Sequence, residues 1–274
     1  MNVDLHTHTT ASDGKCSPRA LLELAIDNQV NLLAITDHDT VEGYRQVCQC
    51  PLPPSLRLIS GVEFSTYWGK VGIHIVGLGM DVDQPRLKKL LADQRGARTA
   101  RAKYLGEALA AAGVAQAYQG ACREGQTQAP TRAHFAQYLV SKGYARNRTK
   151  AFKKYLGDHR VRQTLKFWAP MAATIDAIDA AGGIAVLAHP AKYGLTRTKV
   201  SKLLEAFKAD GGRGVEVISG RQTTEITDSI ATLAKANDLL GSVGSDFHLP
   251  DQPWAMLGKT PGLPKDITPV WECI

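Results

Sequence analysis

The chain has 274 residues, 44% hydrophobic and 22% charged. That is enough for one large α/β domain, or one domain carrying an insertion, and it excludes an intrinsically disordered chain. No apolar run reaches the ~18 residues of a membrane-spanning helix, and the formal charge of +7 is uneven: residues 95–168 carry 15 Lys or Arg against three acids, a net of +12, while the remainder carries −5.

In chain order, the opening Met1-Asn2-Val3-Asp4-Leu5-His6 reads directly as a strand and lacks the basic and apolar regions of a signal peptide. Ser17-Pro18 then caps and opens a helix that continues through Leu21, Leu22, Ala25 and Ile26. Apolar strands follow over residues 31–36, 57–62 and 73–78, the second ending at Glu63 and the third holding His74 near its start. Strand–helix alternation of this kind predicts a parallel α/β architecture. From about Arg95 the pattern becomes helical, with helices expected over 98–112, 131–142 and 149–156 and a looser stretch over 120–130. Alternation resumes with strands over 183–188, 214–218 and 239–243 and a helix over 228–237. We therefore expect a parallel α/β domain made of residues 1–94 and 169–274, interrupted by a basic helical insertion domain over 95–168. The concentration of positive charge there suits a polyanionic ligand.

Five cysteines, Cys16, Cys48, Cys50, Cys122 and Cys273, contain no Cys-x-x-Cys pair. Reduced thiols in a cytoplasmic protein are expected, rather than a disulfide framework or a structural zinc site. Cys48-Gln49-Cys50 reads as ordinary surface.

The chemistry-bearing residues fall at one kind of place. Asp37 and His38, Glu63, His189, and Asp246 with His248 all sit at or just beyond the end of an expected strand. In parallel α/β barrels that rim carries the active site, because rigid strands aim the following loops at one mouth. His6-Thr7-His8 places two imidazoles on one face of a strand, and Asp13 follows in a short turn. With His74 the set is His6, His8, Asp13, His38, Glu63, His74, His189, Asp246 and His248: six imidazoles, three carboxylates and no thiolate. Nitrogen and oxygen donors of this kind suit Mn²⁺, Fe²⁺ or Zn²⁺, and nine ligands are too many for one ion. A carboxylate such as Glu63 can bridge two ions, and a cluster of cations acidifies water and neutralises phosphoryl oxygens.

On these motifs the sequence resembles the polymerase and histidinol phosphatase (PHP) superfamily. They stand here as His6-Thr7-His8 with Ser12-Asp13-Gly14, Thr36-Asp37-His38-Asp39, Gly61-Val62-Glu63, His74, Ala188-His189-Pro190 and Gly244-Ser245-Asp246-Phe247-His248. Within it the chain looks most like the bacterial 3′,5′-nucleoside bisphosphate phosphatases, a subgroup that includes 5′-to-3′ exoribonucleases of the ribonuclease AM type. The subgroup's features are Trp68 with His74-Ile75-Val76-Gly77-Leu78, Thr131-Arg132-Ala133-His134-Phe135, and Phe152-Lys153-Lys154-Tyr155-Leu156. The resemblance implies a distorted (β/α)7 barrel of PHP type with a helical insertion. It implies two or three divalent ions, Mn²⁺ first, with Fe²⁺, Zn²⁺ or Mg²⁺ as alternatives. His6, His8, Glu63 and Asp246 would hold the first, Glu63, His74 and His189 the second, and Asp13, His38 and His248 the third. Arg98, Arg101 and Arg132 match positions that contact substrate phosphate, and His134 is either a substrate contact or a packing residue. His189 or His248 could help move the proton to the leaving oxygen. Two departures bear on specificity: Lys192 stands where the subgroup usually has Arg, and Val161-Arg162-Gln163-Thr164 replaces its usual Gly-Tyr-Val loop.

The expected function is a metal-dependent phosphoesterase that removes the 3′-phosphate of nucleoside bisphosphates, degrades 5′-monophosphorylated RNA from the 5′ end, or does both. Its partners would be a nucleotide or short RNA, with no membrane and no obligate protein partner. The alternatives are a phosphatase for a small metabolite such as histidinol phosphate and a non-catalytic RNA-binding protein.

Overall fold

A computed structural model describes residues 1–157 and 163–274. Seven strands, β1 (Val3–Asp4), β2 (Leu32–Ile35), β3 (Arg57–Trp68), β4 (Val71–Leu78), β5 (Ile184–Leu187), β6 (Gly214–Ser219) and β7 (Leu240–Gly244), form one sheet in sequence order. The sheet curls back on itself. Leu5 N–H donates to Val243 C=O at 3.0 Å and Thr7 pairs with Phe247, so β1 meets β7 and the barrel is nearly closed. Strand alternation divides the core. Leu32, Ala34, Ile59, Val76, Leu78, Ile184 and Val186 form the inner layer, closed at one end by Val270. The intervening Leu33 and Ile35 pack outward against Leu21, Leu22 and Ala25.

One strand departs from the parallel pattern. β4 runs antiparallel to both β3 and β5, whereas the other neighbours are parallel. The cause is local: Gly69, at φ +56°, turns the chain straight back after Trp68 and leaves no room for a crossover helix. β3 also runs past its expected end at Glu63, because the hairpin keeps pairing Ser65 with His74 and Trp68 with Val71 beyond the point where β2 stops. The reversal puts the first half of β4, with His74, at the rim where its neighbours end.

The helices are α1 (Pro18–Asp27), α2 (Glu42–Val47), α3 (Pro85–Ala111), α4 (Ala117–Gly125), α5 (Arg132–Ser141), α6 (Arg148–Tyr155), α7 (Met171–Ala180), α8 (Arg197–Ala209) and α9 (Thr224–Ala236). α1 starts as expected, with Ser17 Oγ accepting the Ala20 N–H at 3.2 Å. α4 occupies part of the stretch expected to be loose. Its Gly120 lies against the Tyr138 ring, where a side chain would collide, so the glycine is what lets α4 pack closely on α5. α3 is continuous through residue 95. Its Leu87, Leu90 and Leu91 join the barrel core, and its Ala102, Leu105 and Leu109 join a separate core with Phe135, Leu139 and Ala151 of α5 and α6. Of the divergent 161–164 loop, residues 161 and 162 lie outside the described residues; Thr164 is buried and accepts a hydrogen bond from Arg101 Nε at 3.2 Å. All five cysteines are free, and no helix among the described residues is long and apolar enough to cross a membrane.

Candidate metal centre

The nine expected ligand residues, drawn from positions 6 to 248, meet at one rim of the barrel. Glu63 is the hub. Its Oε2 lies 3.3 Å from His6 Nε2, 3.2 Å from His8 Nε2 and 3.0 Å from His38 Nδ1, and its Oε1 lies 2.7 Å from His74 Nδ1 and 2.9 Å from His189 Nε2. Asp246 Oδ1 is 3.6 Å from His6 Nε2 and 3.5 Å from His8 Nε2. On the far side, Asp13 Oδ1 is 3.3 Å from His248 Nε2 and 3.8 Å from His38 Nε2. Four overlapping groups could each hold a cation: His8, Asp13, His38 and His248; His6, Glu63 and His189; His6, His8 and Asp246; and His38, Glu63 and His74. His6, His8, His38 and Glu63 each belong to two groups, so the cluster is continuous. His74 and His189, which the resemblance put on one ion with Glu63, both lie against Glu63 Oε1, with ring centroids 5.3 Å apart.

A layer of residues behind the cluster fixes it. Glu216 on β6 accepts from His189 N–H at 2.6 Å and sits 3.0 Å from His6 Nδ1, which leaves His6 Nε2 aimed at Glu63 and Asp246. Sequence reasoning missed this residue, although a lone carboxylate within the apolar run Gly214–Ser219 was a visible signal. Asp37 accepts from Thr9 N–H, Thr9 Oγ1 and Ser12 Oγ at 2.6–2.7 Å, which shapes the loop between His8 and Asp13. Tyr193 Oη donates to Ala188 C=O at 2.7 Å and accepts from His74 N–H at 2.9 Å, tying the strands that carry His74 and His189. His189 and Asp246 hold left-handed backbone at φ +29° and +56°, a conformation that costs a non-glycine residue about 1–3 kcal/mol and concentrates at functional sites.

The donor atoms are poorly served without cations. His6 Nε2, His8 Nε2, Asp13 Oδ1, His38 Nδ1, Glu63 Oε2 and His189 Nδ1 are buried with no hydrogen-bond partner among the described residues. Each such group costs roughly 1–3 kcal/mol, and divalent cations would satisfy them together. The charges agree. Burial pushes the Glu63, Asp13 and Asp246 carboxyls up, but the surrounding imidazoles overcome it and hold all three well below the usual carboxylate range. Burial pulls His6 and His8 down, yet the facing carboxylates win, holding His6 well above its ordinary value and His8 at about 10. A potential that keeps protons on these nitrogens would equally hold a cation in their place. The residues present therefore fit a metal centre.

The cluster floors a cavity of about 570 Å³ whose wall carries Arg98, Arg101 and Arg132. Arg98 Nε donates to Asp39 Oδ2 at 2.6 Å, and Gln94 Nε2 donates to the other oxygen of Asp39 at 2.9 Å, which seats α3 on the barrel. Arg98 and Arg101 flank Trp168 with guanidinium carbons 5.3 and 5.2 Å from its ring. Burial, then the charges of Arg132 and Arg98, push the Arg101 guanidinium well below its usual value, a tension that an anion in the cavity would relieve. Lys192 also lines the cavity and donates to Asp246 Oδ2 at 2.8 Å. His134 does not line it; its Nδ1 accepts the Thr131 N–H at 3.2 Å and caps α5.

The sequence pattern of the PHP domain matches residues 4–219. The chain is 44% identical to a 5′-3′ exoribonuclease of Haemophilus influenzae, over 98% of this chain and 97% of that one. It is 36% identical to a 3′,5′-nucleoside bisphosphate phosphatase of Chromobacterium violaceum, over 99% and 95% of the two chains. A solved structure of an amidohydrolase from Chromobacterium violaceum with bound sulfate superimposes with a TM-score of 0.90 at 36% identity, covering 99% of this chain and 95% of that one.

Proposed function

Because this chain belongs to the PHP domain family, we propose that it is a metal-dependent phosphoesterase cleaving on the 3′ side of a 5′-phosphorylated nucleotide, as a 3′,5′-nucleoside bisphosphate phosphatase and as a 5′-to-3′ exoribonuclease. One observation carries the reading: a buried cluster of six imidazoles and three carboxylates floors a cavity whose wall holds three arginines.

Two or three divalent cations, Mn²⁺ first among them, would be held by His6, His8, Asp13, His38, Glu63, His74, His189, Asp246 and His248. When bound they would supply positive charge to the phosphoryl oxygens and acidify water for attack. Arg98, Arg101 and Arg132 bind the 5′-phosphate, a task suited to the planar guanidinium fork. That grip sets the 3′-phosphorus over the cluster. Water adds to phosphorus, the P–O3′ bond breaks, and O3′ takes up a proton, with His189 or His248 as the candidate to help deliver it. From a bisphosphate the products are a nucleoside 5′-phosphate and inorganic phosphate. From RNA the phosphate departs on the shortened chain as its new 5′-phosphate, which the arginines can hold in the next round. One bond cleavage thus accounts for both activities. In this reading residues 95–168 act as the substrate-holding insertion on the barrel of residues 1–94 and 169–274. A reducing cytoplasmic setting suits the five free cysteines.

The test is to strip the purified protein with chelator, restore Mn²⁺, Fe²⁺, Zn²⁺ or Mg²⁺ singly, and measure turnover of a 3′,5′-bisphosphate, 5′-monophosphorylated RNA and histidinol phosphate. Metal-dependent hydrolysis of the first two is expected, with Arg132→Ala lowering kcat/KM for both by at least about tenfold, the loss of a charged hydrogen bond. Preferential turnover of histidinol phosphate, or unchanged kinetics in the variant, would overturn the assignment.

A further inference from the structure

We infer that the centre has a second nucleotide subsite, beside the cluster and bordered by Arg148 and Trp254, which receives the nucleotide 3′ to the scissile phosphate of an RNA. The inference rests on the exoribonuclease reading above and specifies how an RNA is held.

The chemistry demands such a place. In a bisphosphate the 3′-phosphorus carries nothing further, whereas in RNA it carries O5′ of the next nucleotide. A closed wall beyond the phosphorus would admit the first substrate and exclude the second. The structure has an opening there. A second cavity, of about 280 Å³, is lined by Asp13, Asp246 and His248 of the cluster together with Arg148 and Trp254. That volume is near the lower end of pockets that hold small molecules, about 300 Å³. Asp13, Asp246, Lys192 and Phe152 line both cavities, so the two adjoin at the Asp13 and Asp246 edge of the cluster. A phosphodiester lying over the floor would therefore have its 5′ nucleotide among the arginines and its 3′ nucleotide in the second cavity.

The lining suits a nucleotide. Beyond the two cluster carboxylates, its charged groups among the described residues are cationic, Arg148 and Lys192. Trp254 is 60% exposed, the most exposed large aromatic side chain among the described residues. Its backbone is nonetheless pinned: the Trp254 carbonyl accepts the Arg221 N–H at 2.7 Å, and the Ala255 N–H beside it donates to Gln252 C=O at 3.0 Å. Gly220, at φ +63°, lets the chain pass against that carbonyl, where a side chain would come within 2.5 Å of it. An indole left open to water on a fixed support is the arrangement on which a base stacks, whatever its sequence.

The measurement compares a 3′,5′-bisphosphate, which ends at the phosphate, with a 5′-monophosphorylated dinucleotide, whose second nucleotide would fill the subsite. In Trp254→Ala the ratio of kcat/KM for the dinucleotide to kcat/KM for the bisphosphate is expected to fall about tenfold, in keeping with the loss of one base–aromatic stack. Trp254→Phe is expected to restore most of it. Trp254 is exposed, so neither variant threatens the fold. An unchanged ratio in Trp254→Ala, or equal losses on both substrates, would overturn the subsite. If the wild-type protein hydrolyses the bisphosphate and leaves the dinucleotide intact, the exoribonuclease reading itself fails and the subsite falls with it.

Discussion

Glu63 and Glu216 are both buried carboxylates within reach of the same histidines, but they do different work. Glu63 presents an unpartnered Oε2 to His6, His8 and His38, so its charge faces the place a cation would take. Glu216 spends both oxygens on protein, one at His6 Nδ1 and one at His189 N–H, and so acts on the cluster through those two residues. Gly244 shows how tight this corner is, since any side chain there would collide with His6 and come within 2.6 Å of Glu216 Oε1. The two glutamates should therefore fail differently. Glu216→Gln keeps shape and loses orientation, and is expected to weaken metal affinity about 10–100-fold, as outer residues of metal sites do. Raising the metal concentration should restore its kcat. Glu63→Gln removes a ligand from two of the four groups, so its loss should exceed that range and persist at high metal. Metal content after dialysis, read with kcat against metal concentration, separates the two. Identical rescue curves would show that Glu63 is no ligand.

Helix α5 depends on a cap that is also a titrating group. His134 Nδ1 accepts the Thr131 N–H, which requires that nitrogen to be unprotonated, and burial holds the imidazole below its ordinary value. An unfolded histidine takes up its proton near pH 6.5, so as pH falls through that value the unfolded chain gains the proton first. The cap's contribution is complete above about pH 6.5 and is lost as pH drops toward the lower folded value. Thermal melts of wild type and His134→Asn should accordingly converge between pH 7 and pH 5; a constant gap would remove His134 from the pH response. This histidine also marks where sequence legibility ended. The ligand residues could be read because their side chains carry the chemistry wherever they stand, and strand ends gather them. The reversal of β4 could not, because Gly69-Lys70 reads as an ordinary loop until the strand pairing is seen. α4 was hidden by Gly120 and Gly125, which look like helix breakers and instead make room for the Tyr138 and His134 rings. Glu216 belongs to no local motif, and only register brings it behind His6 and His189.

At the scale of the whole molecule, the centre and the closure of the barrel are one problem. β1 has only two residues and is joined to β7 by few backbone hydrogen bonds, while His6 and His8 follow β1 and Asp246 and His248 follow β7. A cation shared between these two edges would bridge the seam, and it would also satisfy donors that otherwise stand buried and unpaired. Binding to the native state alone stabilises it by RT ln(1 + [L]/Kd), about 4 kcal/mol at a thousandfold excess over Kd. For a chain of this length each kcal/mol moves the melting temperature by roughly 2–4 °C. Chelation should thus lower Tm by at least about 8 °C, and Mn²⁺ should return it. Asp246→Asn should respond far less to either treatment, because the group that joins it to His6 and His8 across the seam is already broken. A wild-type Tm indifferent to chelator would mean that the seam holds without cations, and the buried donors would then need another partner.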